Sequence, residues 1–211
     1  MPIIVSNTTF SPEIHGFAFP NYFELGQAKT KLSLSKAAAP VYGLCGGMCF
    51  AALDYYFAGI TLPNVDSPGL VEGWLWKYLI KREIDTLKRR ESLLFFRSMI
   101  SRRMYLESIT FSALQEIKNQ IYRRRPVVLG IIRSRGYSNP TKNHQVLVVG
   151  FEEHMENTYT RLSIYDPNYS NSHHFITYFH NKKAILHDTG ELDFGLFVIP
   201  YRFSSPPIPR S

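Results

Sequence analysis

At 211 residues, with 45% hydrophobic and 19% charged positions, the chain suits one domain with a substantial core and lacks the composition of a disordered protein. Lys and Arg outnumber Asp and Glu by 24 to 17, and this surplus favours acidic partners: nucleic acid, anionic lipid or an acidic protein face. Two cysteines, Cys45 and Cys49, exclude a disulfide framework and fit a reducing compartment, and no apolar run approaches the roughly 20 residues a bilayer-spanning helix needs.

The first 40 residues have strand-and-loop character, with short apolar runs such as Ile3-Ile4-Val5 and Phe17-Ala18-Phe19 broken by Pro and Asn. Met1 to Phe10 lack a basic start followed by an apolar stretch, so no signal peptide is expected. The protein is expected in the cytoplasm, or exported without a classical signal. Gly46-Gly47 opens a predicted helix to about Ala58, stopped by Gly59. From Pro68 to about Arg90, Leu70, Val71, Trp74, Leu75, Tyr78 and Leu79 recur at helical spacing and predict one long amphipathic helix. Ser112 and Gln115 resemble a capping box for a helix through Leu114, Ile117 and Ile121, which must end near Arg124 because Pro126 follows.

After Pro126 the texture becomes short strands: Val127 to Ile132, Val146 to Phe151, Tyr159 to Tyr165, Phe175 to Phe179 and Phe194 to Ile199. A helical first half and an antiparallel second half make an α+β domain over residues 1–211. The helical lobe runs from about 41 to 125 and the β lobe from about 126 to 203. A Pro-rich tail occupies 204–211.

Cys45 sits where free N–H groups and the positive end of a helix dipole would stabilise a thiolate. The two glycines behind it would let backbone approach closely and leave room for a substrate carbonyl. Cys49, one turn further in, reads as a small core residue. Two later segments supply an imidazole and a carboxylate: Asn143-His144-Gln145-Val146 and Tyr165-Asp166-Pro167-Asn168. If the two strands form a hairpin in which Phe151 pairs with Tyr159, His144 falls directly opposite Asp166, with Cβ atoms about 5 Å apart. A carboxylate beside an imidazole fixes its tautomer and stabilises its charged form, as a general base for a thiol requires.

The run Leu-Cys-Gly-Gly-Met-Cys-Phe-Ala-Ala at 44–52 resembles the nucleophile helix of the bacterial peptidase domains that trim double-glycine leader peptides. It also looks like that of butirosin-type acyltransferases and, more loosely, papain. The segment 113–132, His-Gln-Val-Leu-Val-Val-Gly-Phe at 144–151 and Tyr-Asp-Pro-Asn at 165–168 are similar to later parts of that superfamily. The resemblance implies a papain-like two-lobed fold, with Cys45 as nucleophile, His144 as base and Asp166 as orienting acid. Papain's spacing would instead favour Cys49, and Asn168 is a rival to Asp166. Where those peptidases carry a Gln that binds the oxyanion, this chain has Ala39, and Gln27 lies far upstream.

The expected activity is thiol-dependent acyl transfer on a peptide, protein or acyl-carrier substrate: peptidase, amidase or deamidase, or acyltransferase. It needs no cofactor and no metal. The alternative is a non-catalytic module whose segment at about 77–103, with basic residues alternating with Trp74, Trp76, Phe95, Phe96 and Tyr105, faces an anionic membrane, nucleic acid or an acidic protein. A metal site from Cys45, Cys49, His173 and His174 would have no familiar zinc spacing.

Overall fold

Strand β1 (Ile3–Asn7) and a short helix α1 (Pro12–His15) open the fold in the computed structural model, which describes residues 3–23, 43–87, 89–136, 139–154, 156 and 158–208. Helices α2 (Cys45–Ala58), α3 (Gly73–Thr86), α4 (Arg89–Ile100) and α5 (Arg103–Tyr122) follow. Six strands complete the chain: β2 (Val127–Ile132), β3 (His144–His154), β4 (Tyr159–Tyr165), β5 (His174–Phe179), β6 (Ala184–His187) and β7 (Gly195–Ile199). The expected α+β class is what the structure has. The strands form one antiparallel sheet in the order β6-β5-β4-β3-β2-β7, and β1 pairs with the far half of β3.

Helices cover both faces of this sheet. Alternate residues of β3 enter different cores. Leu147 and Val149 meet Met48, Phe50 and Leu53 of α2 and Leu75 and Leu79 of α3. Val146 and Val148 join Leu114, Ile117 and Ile121 of α5. Burial on both faces explains why β3 reads as a near-continuous apolar run. Each fully buried Leu or Ile here contributes about 1.5–3 kcal/mol relative to exposure.

Helix α2 is buried from Cys45 through Tyr55, as a segment apolar on every side should be. Its one buried charge, Asp54, accepts hydrogen bonds from Arg82, Tyr78, Tyr201 and the Ser204 N–H. Gly59 ends the helix at φ 66°, a left-handed cap that favours glycine. The Pro-rich tail is seated on this helix: the Tyr55 hydroxyl donates to the Pro207 carbonyl at 2.6 Å.

Three local expectations are corrected. The long helix predicted from Pro68 starts at Gly73 and ends at Thr86, because Pro68–Leu70 forms a separate 3-10 turn and a new helix begins at Arg89. Ser112 is not an N-cap. It lies inside α5, where its hydroxyl donates back to the Ser108 carbonyl. Strand β6 escaped notice, since Ala-Ile-Leu-His is too short to carry a clear alternation.

Candidate active site

Cys45 is the first residue of α2, with Leu44 as its N-cap, and is 9% exposed. The space beside the next two residues is filled by protein. A Cβ on Gly46 would come within 2.5 Å of Gln145 Oε1 and Thr86 Oγ1, and one on Gly47 within 2.3 Å of the Leu79 carbonyl. The glycines therefore admit helix α3 and the Gln145 side chain; the room expected there for a substrate carbonyl is taken.

His144 begins β3 and Asp166 follows the last residue of β4. Their side chains meet, with His144 Nε2 at 2.7 Å from Asp166 Oδ1, both groups buried. The expected register is corrected. Phe151 pairs with Leu162, not Tyr159, and after a bulge at Val149 the ladder resumes with Val148 opposite Ile164 and Leu147 opposite Tyr165. Continuing it by one residue puts Asp166 opposite Val146, two positions from His144 and on the same side of the pleat.

Cys45 lies near enough to the same ring to act on its charge. With Nε2 engaged by Asp166, Nδ1 is the ring atom left for the sulfur. Burial alone would drive the His144 proton off. Asp166 and Cys45 outweigh it, so the pKa is raised and the imidazolium is favoured. Burial would raise the Asp166 pKa, but His144 and the Asn168 N–H at 2.8 Å hold it below the usual carboxylate range. The three groups form one charge-coupled cluster: thiol, imidazole, carboxylate.

Three neighbours escaped the sequence reading. Glu83, on α3, accepts the Gly47 N–H at 2.6 Å, and the Gly46 N–H also favours its charged form. It thus caps the mouth of α2 from another helix. Burial pushes its carboxyl up to about 7, against the pull of those amides and of His144. The Gln145 amide donates to Thr86 Oγ1 at 3.0 Å and lies against Gly46. Asn21 ties the loops together: its Oδ1 accepts the Leu44 N–H, its Nδ2 donates to Asn168 Oδ1 at 3.1 Å, and its own N–H donates to the Pro167 carbonyl. No local motif marks Glu83 or Asn21, because their partners lie 36 and 23 positions away.

The other sequence candidates fall elsewhere. Cys49 is fully buried, its Sγ donates to the Gln145 carbonyl at 3.7 Å, and burial pushes its thiol pKa well up. Asn168 touches Asp166 and Asn21 rather than His144. His173 pairs with Glu13 and His174 with Asp188, away from Cys45 and Cys49. No group of three His, Cys, Asp or Glu suited to a metal ion occurs among the described residues. Ala39 and Gln27 lie outside the described residues. Of the basic and aromatic set, Arg82 is buried on Asp54 and Phe95 is in the core, whereas Lys77, Lys81, Arg97, Arg102 and Arg103 are exposed. Phe96, Lys88, Arg89 and Arg90 lie outside the described side chains. Among the described residues no helix is long and apolar enough to cross a membrane.

Set against known proteins, the chain matches no family model, no curated protein and no solved structure.

Proposed function

We propose that the protein is a papain-like thiol acyl-transfer enzyme in which Cys45 is the nucleophile, His144 the base and acid, and Asp166 the group that orients His144. The observation that carries this reading is the buried 2.7 Å contact of His144 Nε2 with Asp166 Oδ1, on a ring whose other side is beside the Cys45 thiol. A sulfur at a helix mouth, beside an imidazole that a buried carboxylate orients, is the arrangement in which a nucleophile is activated.

In this reading the Cys45 sulfur adds to an amide or thioester carbonyl carbon. The C–N or C–S bond breaks, and His144 gives its proton to the leaving amine or thiol. Water or an amine then attacks the thioester carbonyl and loses a proton to His144, and the Cys45 sulfur leaves as thiolate, restoring the starting pair. Peptide cleavage, deamidation and acyl transfer share these steps and differ only in the two leaving and entering groups.

The test is reaction with iodoacetamide. Cys45→Ala is expected to abolish labelling at neutral pH with the thermal unfolding curve nearly unchanged. Labelling that survives in Cys45→Ala and is lost in Cys49→Ala would defeat the assignment.

A second reading rests on a different surface. Leu93, Ile100 and Met104 are 64%, 66% and 80% exposed beside the exposed Arg97, Arg102 and Arg103, a combination suited to an anionic lipid surface. Salt-sensitive binding to anionic vesicles that persists in Cys45→Ala would favour it, and absent binding would remove it.

A further inference from the structure

A second histidine stands behind Asp166. His187, the last residue of β6, is 1% exposed, and Arg133 Nη2 lies 2.8 Å from its Nδ1. A guanidinium only donates, so Nδ1 must be the accepting nitrogen. The Thr189 hydroxyl sits 3.0 Å from the same atom. Glu191 Oε2 also approaches Nδ1, at 3.2 Å, but makes no hydrogen bond there. The neutral ring that remains is the tautomer with its proton on Nε2.

Asp166 Oδ2 and Asp188 Oδ1 each stand 3.9 Å from that Nε2. Asp166 Oδ1 already serves His144 and the Asn168 N–H, whereas Asp166 Oδ2 and His187 Nε2 are both buried without a hydrogen-bond partner. Two complementary orphans facing each other in a protein interior are uncommon, because each costs free energy unless they interact. At 3.9 Å they interact as dipole and charge, and a shift of about 1 Å makes the direct bond.

Resting on the acyl-transfer reading, we propose that His187 is the positioning residue of the triad: its Nε2–H holds the second oxygen of Asp166, so the carboxylate is clamped between two imidazoles with Oδ1 turned to His144. The groups around His187 make it the neutral partner. Burial lowers its pKa and Arg133 opposes its charging, although Asp193, Asp166 and Glu191 act the other way. Arg133 is itself held by Asp193 at 2.9 Å and by Glu191. His187 touches no reacting atom and acts only through Asp166.

The tautomer is read directly in the intact wild-type protein by long-range proton–nitrogen NMR. A His187 protonated on Nε2 alone is expected at pH 7; one carrying its proton on Nδ1 overturns the proposal. The variants His187→Leu and His187→Gln add a functional readout, since glutamine restores an N–H donor and leucine does not. In His187→Leu the His144 titration midpoint is expected to fall by about one pH unit, and the alkaline limb of Cys45 alkylation by iodoacetamide to move with it. His187→Gln is expected to recover most of that shift. A folded His187→Leu protein with an unmoved His144 titration overturns the proposal, even if its thermal stability is lower. If His187→Leu does not fold, the wild-type tautomer still decides. A wild-type Cys45 that iodoacetamide does not label would defeat the acyl-transfer reading separately, leaving the tautomer and the His144 titration to judge His187.

Discussion

Asp166 meets His144 on one face of the sheet because strand β3 takes in an extra residue, Val149, between the pairs Val148–Ile164 and Gly150–Ser163. Carried on without that bulge, the register beyond Gly150 would set Asp166 opposite Leu147 and put His144 on the other face. Bulges re-aim side chains in this way, and they recur beside working sites.

Asp166→Asn tests what the carboxylate charge does once the geometry is in place. Asparagine keeps an acceptor for His144 and the Asn168 N–H but removes the charge that stabilises the imidazolium. The expected result is a folded protein whose Cys45 alkylation rate at pH 7 falls by about a hundredfold, the scale of general acid–base contributions. Rate constants for iodoacetamide, compared with the wild type, check it.

The pH dependence of stability follows from the directions of two pKa shifts. His144 is raised in the folded state, so its contribution is full below its unfolded value of about 6.5 and is lost as pH rises beyond that. Asp166 is lowered, so its contribution is present above about 3.9 and is lost as pH falls. The pair should therefore stabilise most between about pH 4 and 6.5. Urea unfolding across pH should show an alkaline decline that His144→Gln reduces.

Glu83 tests a raised carboxyl. Its folded pKa of about 7 means that stability is full below its unfolded value near 4.3 and declines as pH rises through 7. Glu83→Gln keeps an oxygen for the Gly47 N–H and removes the titration. The variant should be more stable than the wild type at pH 8, by on the order of 2 kcal/mol, and nearly equal to it at pH 4. Chemical denaturation at the two pH values is the check.

Asp54 and Arg82 form a buried pair at 2.7 Å on which Tyr78, Tyr201 and Ser204 converge. Asp54→Ala leaves Arg82 charged in the interior and should cost about 3–5 kcal/mol. It should also loosen the segment 201–207, read as faster protease cleavage there. The double variant Asp54→Leu with Arg82→Met should regain most of the stability, because replacing both charges removes the desolvation penalty.

Much of this was open to sequence reasoning. Residues 45–58 announce a buried helix by having almost no polar position, and Gly59 marks its end. The β-branched runs 127–132 and 159–165 match their strands residue for residue. Each of these signals is local, set by backbone preference and by the period of the apolar residues. Cys45, His144 and Asp166 were nameable for the same reason: a thiol at a helix entrance and polar residues at strand ends stand out against apolar runs.

What only the tertiary structure decided was everything that depends on register and on distant partners. A one-residue bulge in β3 put His144 on the same face as Asp166, and no pattern in that apolar run reveals an inserted residue when both faces are buried. Glu83 reaches the mouth of α2, and His187 reaches the back of Asp166, only because separate elements pack together. Such contacts are selected by the global fit of cores and by the free energy of satisfying buried polar groups, neither of which is written in the neighbours of a residue along the chain.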